Sequence, residues 1–300
     1  MPSALCRLTP LLLAALLLAG CEPAERDVPE PAVETMVPTV VPVEEDRLVT
    51  DEIEARMAAI LAGVHRSEAH RARDRYRNPA ATLAFFGLQP DMTVVEIWPG
   101  AQGWYTEIIA PFVNEEGQYY AAHFDPDSER EFAQRALAAF REKLASAPEL
   151  YGNARMTALG CPDVLDIAPE GSADLVVAFR SLHNWMGAEC AEAVLGAIHT
   201  ALRPGGVFGL VGHRGRADEP QDPRAPRGYV RQDYAIELVE AAGFELVATS
   251  EINANPRDTA DHPRGVWTLP PMLALGEEDR ERYVEIGESD RSTLKFRRSE

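Results

Sequence analysis

The sequence is short of positive charge, of cysteine and of long apolar runs. Lys and Arg together number 29 against 48 Asp and Glu in 300 residues, a formal net charge of −19. That deficit argues against a nucleic-acid partner, because phosphate binding needs a basic face. Four Cys in 300 residues exclude a disulfide scaffold. The chain contains no Gly-x-Ser-x-Gly elbow and no Gly-x4-Gly-Lys-Ser/Thr loop, and no His-Glu-x-x-His or Cys-x-x-Cys spacing that would hold a metal. The apolar run at 11–18 is too short to span a bilayer, which takes about 20 apolar residues. Hydrophobic residues still make up 46% of the chain, so a core can form and the acidity does not signal a disordered protein.

The first 50 residues differ from the rest. Arg7 and the amino terminus form a positive stretch, residues 11–18 are Leu and Ala throughout, and Leu18-Ala19-Gly20-Cys21 follows. These are the proportions of a secretory signal, and the last four residues resemble a bacterial lipobox. The expectation is a signal peptide over 1–20, acylation of Cys21, and attachment of the exported protein to the cell envelope. Glu22, not Asp, follows the Cys; by resemblance to Gram-negative lipoproteins this favours the periplasmic face of the outer membrane. Residues 21–50 carry five Pro and eight acids against Arg26 and Arg47, a composition suited to an extended tether. Residues 51–300 remain as one α/β domain. Cys161 and Cys190 are its two thiols. An oxidising compartment permits a bridge, and two isolated buried thiols fit the sequence as well.

Within the domain, apolar residues at helical spacing predict an amphipathic helix over 51–76, with His65 and His70 facing solvent. Pro79 and Gly87 bracket a second, short helix. Strands are expected at 92–97, 118–124, 154–159, 174–179, 207–211, 244–250 and 265–269, with helices at 105–112, 129–144, 188–202 and 233–242. This alternation implies βαβ units in a mostly parallel sheet, whose ligands bind at the carboxyl ends of the strands.

The loops at that edge hold the candidate site. Glu96 ends the first strand and Gly100 and Gly103 turn the chain into a helix, where open backbone N–H groups and close approach suit a ligand. Asp125 ends the second strand, twenty-two residues after Gly103, the position of an acid that binds ribose hydroxyls. Asp163 follows the third strand and is a candidate for an adenine amino group. Arg180, His183, Asn184 and Trp185 follow the fourth, with His183 a candidate base because imidazole titrates near neutrality. His213 and Arg214 follow the fifth and are candidates for binding an anionic acceptor.

The order Val94-Val95-Glu96-Ile97, Gly100, Gly103, Asp125, Asp174-Leu175-Val176-Val177 and Leu202-Arg203-Pro204-Gly205-Gly206 resembles class I S-adenosylmethionine-dependent methyltransferases. More narrowly, 72–79 with 83–87, 96–100 with 103–107, and 290–297 resemble a family of bacterial predicted methyltransferases that are often exported. The resemblance implies a Rossmann-like seven-stranded sheet in a three-layer fold with an N-terminal helical extension and an antiparallel last strand. It implies S-adenosyl-L-methionine as cofactor, with Glu96, Gly100 and Gly103 at its amino-acid end and Asp125 at its ribose. The loop from Arg180 to Trp185 would face a small-molecule acceptor. The chain departs from the pattern at Trp98 and Pro99, which replace small residues, and at Ala101-Gln102. An exported address and a cytosolic cofactor pull in different directions. A binding lipoprotein that keeps the fold without the reaction, or an enzyme using another nucleotide-like ligand, therefore stands beside the methyltransferase reading.

Overall fold

The computed structural model describes residues 44–299 and shows how the chain brings the ends of its central strands together. The expected signal peptide, Cys21 and the linker up to residue 43 lie outside the described residues. Helix α1 (Glu44–Ala62) begins inside the stretch read as linker, and is followed by the one-turn helices α2 (Glu68–Arg71) and α3 (Asp74–Arg77) and by α4 (Pro79–Phe86). The single helix expected over 51–76 is thus broken. Gly63 turns the chain after α1, and Ser67 restarts it by accepting a hydrogen bond from the His70 N–H at 3.1 Å. The break brings both histidines inward: His65 Nε2 lies 2.9 Å from the Glu107 carbonyl and His70 Nδ1 2.9 Å from the Glu107 carboxylate. Neither faces solvent as their spacing had suggested.

The alternating units follow: β1 (Thr93–Ile97), α5 (Thr106–Val113), β2 (Gln118–His123), α6 (Glu131–Ser146), α7 (Pro148–Tyr151), β3 (Ala154–Ala158), β4 (Ala173–Phe179), α8 (Leu182–Gly187), α9 (Ala191–Ala201), β5 (Leu202–His213), α10 (Gln232–Ala241), β6 (Phe244–Ser250), α11 (Arg280–Ile286) and β7 (Arg291–Arg298). The seven strands form one sheet in the order β3-β2-β1-β4-β5-β7-β6. β3, β2, β1, β4 and β5 pair in parallel, and β7 runs antiparallel between β5 and β6. Strand order reverses between β1 and β4, where a Rossmann-like sheet opens its ligand crevice.

Alternation along the central strands splits the core in two. Val95, Ile97, Val176 and Ala178 face one layer with Trp185, Val194, Ile198 and Val239, whereas Val94, Leu175 and Val177 face the other with Leu83, Phe86, Ile108 and Phe112. Both faces are covered, so these strands read as continuous apolar runs. Helix α4 presses so closely on β5 that a Cβ at Gly209 would lie 2.7 Å from the Phe86 ring. At the other end of the strands, Asp174 accepts from the Thr93 N–H and from Arg203 Nε, tying β1, β4 and the Pro204-Gly205-Gly206 turn together.

The strand expected at 265–269 is instead a 3₁₀ turn, Gly265–Thr268, lying between Pro263 and the Pro270-Pro271 pair. Proline on either side withholds ladder donors, so the apolar residues there pack as a turn. The seventh strand lies at Arg291–Arg298, where Ser292, Leu294 and Phe296 are buried between charged neighbours. Cys161 and Cys190 are disulfide-bonded, with Cα atoms 6.0 Å apart. That settles an alternative the sequence left open, and it joins the loop after β3 to the start of α9.

Candidate functional site

Two neighbouring cavities open at the carboxyl edge of the sheet, and the loop after β1 divides them. Trp98 takes a left-handed φ of 48°, a conformation that costs a bulky residue about 1 kcal/mol or more. The reward is a fixed indole: Nε1 donates to the Leu159 carbonyl at 2.9 Å, and the ring packs against Phe124 and edge-on against Trp185. Trp98, Phe124 and Asn184 line both cavities and so form the partition.

One cavity, about 510 Å³, lies over β1 to β3. Asp125 and Asp163 both line it, together with Phe124, Phe132, Leu159 and Cys161. Asp125 Oδ1 accepts from the Asp127 N–H at 2.9 Å, an Asx turn that holds the carboxylate in the cavity lining. Asp163 is exposed at the rim.

The other cavity, about 440 Å³, lies over β4, β5 and β7. Arg180 at the end of β4 has φ 60° and enters the cavity wall beside Ser181, His183 and His213. Burial, and then Arg180, lower the His183 pKa to about 4, so its imidazole is neutral at pH 7. His213 is pushed in the same direction by burial and then by His183, and its Nδ1 sits 2.6 Å from Ser289 Oγ. Across the cavity stand Arg73, Arg77 and Arg291, all bonded to Glu288. Burial alone would raise the Glu288 carboxyl, but Arg291, Arg77 and Arg73 outweigh it and hold the group below the ordinary carboxylate range. A cover formed by Val266, Trp267, Leu269 and Met272 closes one side. Buried Asp258 anchors it, accepting from Tyr229 Oη, from the Ala260 and Asp290 N–H groups and pairing with His262 Nε2 at 2.8 Å.

The candidate residues thus divide. Arg180, His183, Asn184 and His213 meet in one cavity and Asp125 and Asp163 in the other. Glu96 lines neither: its buried carboxylate accepts from Tyr119 Oη at 2.6 Å and Thr106 Oγ at 3.0 Å, fastening β1 to β2 and to the start of α5. Gly100 has a positive φ of 72° with open space around it, and its carbonyl faces His123 Nε2 at 3.3 Å. A Cβ at Gly103 would strike Phe140 and Thr106 at about 2.8 Å, so that glycine serves helix packing. Trp185 is fully buried behind Trp98. Arg214 is held by both oxygens of Asp290 and by Glu251 and lines neither cavity. Sequence reasoning missed Arg73, Arg77, Glu288 and Arg291. Their signals were the i,i+4 spacing of the first two and the charges flanking the 290–297 segment.

No family model matches the chain, and no curated protein matches it. Solved structures do. The [4+2]-cyclase SpnF superposes with a TM-score of 0.51 at 15% identity, over 87% of this chain and 97% of its own. A SAM-dependent methyltransferase from Aquifex aeolicus gives 0.47 at 18% identity, over 61% and 87%. A putative sarcosine dimethylglycine methyltransferase from Galdieria sulphuraria gives 0.49 at 14% identity, over 76% and 86%. With the sheet order and the antiparallel β7, the chain has the seven-stranded Rossmann-like fold that the resemblance to methyltransferases implied.

Proposed function

We propose that this protein transfers a methyl group from S-adenosylmethionine to a small-molecule acceptor, as an exported protein held to the membrane by lipid on Cys21. The observation that carries the reading is the pairing of cavities. The carboxylates after β2 and β3 line one, the neutral His183 stands in the other, and they share Trp98, Phe124 and Asn184 as walls. The first cavity fits a nucleoside: Asp125 has an oxygen for ribose hydroxyls, Asp163 an oxygen at the rim for an amino group, and Phe124, Leu159 and Trp98 give apolar walls.

The bound cofactor supplies a sulfonium methyl, whose carbon takes the acceptor's lone pair while the carbon–sulfur bond electrons stay on sulfur. Everything else falls to the chain's own residues. Asp125 and Asp163 would hold the cofactor's nucleoside in the cavity beside the partition. Trp98 and Phe124 exclude water from the junction. His183 accepts a hydrogen bond from the acceptor's O–H or N–H and aims its lone pair. With a pKa of about 4, its ring does not keep the proton, which passes on to solvent. The Cys161–Cys190 bridge supports the exported location, because cytosolic thiols are kept reduced.

A second reading keeps the ligand pocket and drops the methyl transfer. It is favoured by Trp98 filling a loop where small residues are usual, and by a structural neighbour described as a [4+2]-cyclase. Calorimetric titration of the full chain with S-adenosylmethionine separates these outcomes. Micromolar binding, weakened roughly tenfold by Asp125→Ala, together with formation of S-adenosylhomocysteine on addition of acceptor, supports methyl transfer. No binding at millimolar ligand overturns it, and binding without turnover selects the second reading. Lipid attachment is checked by fatty-acid labelling, which Cys21→Ser should abolish.

A further inference from the structure

We infer that the Arg180 cavity is an oxyanion site, and that the acceptor is a small molecule with an apolar body and a carboxylate or phosphate group. Calling the ligand an acceptor rests on the methyltransferase reading; the oxyanion site itself does not.

Four guanidiniums, Arg73, Arg77, Arg180 and Arg291, line this cavity against one carboxylate, Glu288. Glu288 is already shared by Arg73 at 2.6 Å, Arg77 at 3.2 Å and Arg291. The Arg180 backbone N–H donates to the Val211 carbonyl at 2.6 Å, but its guanidinium makes no hydrogen bond and no ion pair among the described residues, although the residue is only partly exposed. Burial and the neighbouring Arg291 lower its pKa to about 10. The flanking histidines are neutral and offer it no counter-charge. A chain with a net charge of −19 has gathered its positive side chains here, and gathering them costs repulsion and desolvation. An oxyanion from solution offsets both, and guanidinium forks match carboxylate and phosphate oxygens in pairs.

The rest of the wall describes the remainder of the ligand. Trp98, Phe124, Phe179 and Trp267 give aromatic surface around the charge, and about 440 Å³ holds a small molecule. His183 packs between His213 and Trp267 with ring centroids 5.4 and 5.9 Å away, and its ring nitrogens make no hydrogen bond among the described residues. Its ring nitrogen is open to an acceptor hydroxyl or amine once the oxyanion is seated. Segments separated by more than 200 residues meet in this pocket: Arg73 and Glu288 are 215 positions apart.

The test is calorimetric titration of the full chain, without cofactor, with 4-hydroxybenzoate, phenyl phosphate and the neutral 4-hydroxybenzamide. The proposal expects at least one anion to bind and the amide not to bind. Arg180→Met should weaken the anion roughly tenfold or more, Arg180→Lys should weaken it less, and Arg135→Met on the exposed face of α6 should change nothing. Arg180→Met should also leave the melting temperature unchanged or higher without anion, since it removes a repelled charge. The preference between benzoate and phenyl phosphate assigns the carboxylate or the phosphate form of the acceptor. Equal binding of the amide, or no binding of either anion, overturns the proposal. A second titration, of S-adenosylmethionine with and without saturating anion, guards the assignment. Unchanged cofactor affinity supports a separate acceptor site, and competition overturns it by giving the arginines to the cofactor's own carboxylate. Anion binding that depends on Arg180, in a chain that does not bind the cofactor, would sink the methyltransferase reading and leave the oxyanion site standing.

Discussion

Glu96 and Glu288 are both sealed from water, at 3% and 2% exposure, on opposite sides of the partition at the sheet edge. Glu96 belongs to the half built from β1, β2 and the start of α5, where its partners are the uncharged hydroxyls of Tyr119 and Thr106. Burial therefore dominates and raises its pKa to about 7. Glu288 belongs to the half closed by β7, where burial acts the same way but three guanidiniums reverse it. The same side chain at the same depth is pushed in opposite directions by its company. One half is assembled locally and keeps its buried carboxylate among neutral partners, with Asp125 and Asp163 at its cavity. The other is a charged cavity assembled across the whole chain, and its charge is balanced only in part.

The largest effect comes from breaking the charged half. Glu288→Gln keeps the shape and leaves Arg73, Arg77 and Arg291 without their shared carboxylate, which should cost about 3–5 kcal/mol of stability in urea unfolding at pH 7. The folded pKa of Glu288 lies below its unfolded value of about 4.3, so its contribution is fully present above that value and is lost as pH falls. The wild-type and Glu288→Gln stability curves should converge in acid. Parallel curves would mean that the arginines are held apart by packing alone. Added phosphate should rescue the variant more than the wild type if the cavity accepts oxyanions.

A smaller loss is expected on the neutral side. The Cys161–Cys190 bridge closes a 29-residue separation and holds one wall of the nucleoside cavity. Replacing both cysteines with Ser should lower stability by about 2–4 kcal/mol and weaken nucleoside binding, while anion titration of the Arg180 cavity stays as it was. Loss of both ligands together would show that the two halves move as one.

The same division explains what could be read in the sequence. The neutral half was legible because each of its acids follows its own strand. Asp125 and Asp163 are placed by β2 and β3 within a few residues, and the apolar runs of β1 and β4 announce strands buried on both faces. Even there the neighbours of Glu96 and Gly103 come from outside the loop: the Tyr119 and Thr106 hydroxyls meet the first and the Phe140 ring the second, while Gly100 keeps open space around it. The charged half was legible only in part: Arg180, His183 and His213 follow their strands and meet in its cavity, whereas the residues that converge on Glu288 were not visible. In Arg291–Arg298, charges that are paired in the fold look like surface charges in the sequence, so the strand was placed at 265–269 instead. Nothing in the spacing of Arg73, Arg77, Glu288 and Arg291 shows that α3 and β7 converge. Arg214 drew attention at the fifth strand end, where Asp290 and Glu251 occupy it, while Arg180, one strand over, was left without a partner.

The smallest expected effect has the opposite sign and sharpens the contrast most. A carboxyl whose folded pKa is about 7 and whose unfolded pKa is about 4.3 carries no penalty below pH 4, where both states are protonated. As pH rises past 4.3 the unfolded chain releases its proton and the folded chain does not, so stability falls until the folded group ionises near pH 7. At 1.36 kcal/mol per pKa unit the full loss approaches about 3.7 kcal/mol, and relaxation around the site should reduce it to about 1–2 kcal/mol. Glu96→Gln cannot ionise and still offers an oxygen to Tyr119 and Thr106. Its stability should therefore fall less than the wild type's between pH 4.5 and about 7.5, leaving it equal or more stable at the upper end. The Glu288 window lies in acid and the Glu96 window between there and neutrality, so urea unfolding across pH separates them within one protein. If Glu96→Gln tracks the wild type through neutrality, the carboxylate ionises normally in the fold. A buried, ionised carboxylate would then stand on each side of the partition.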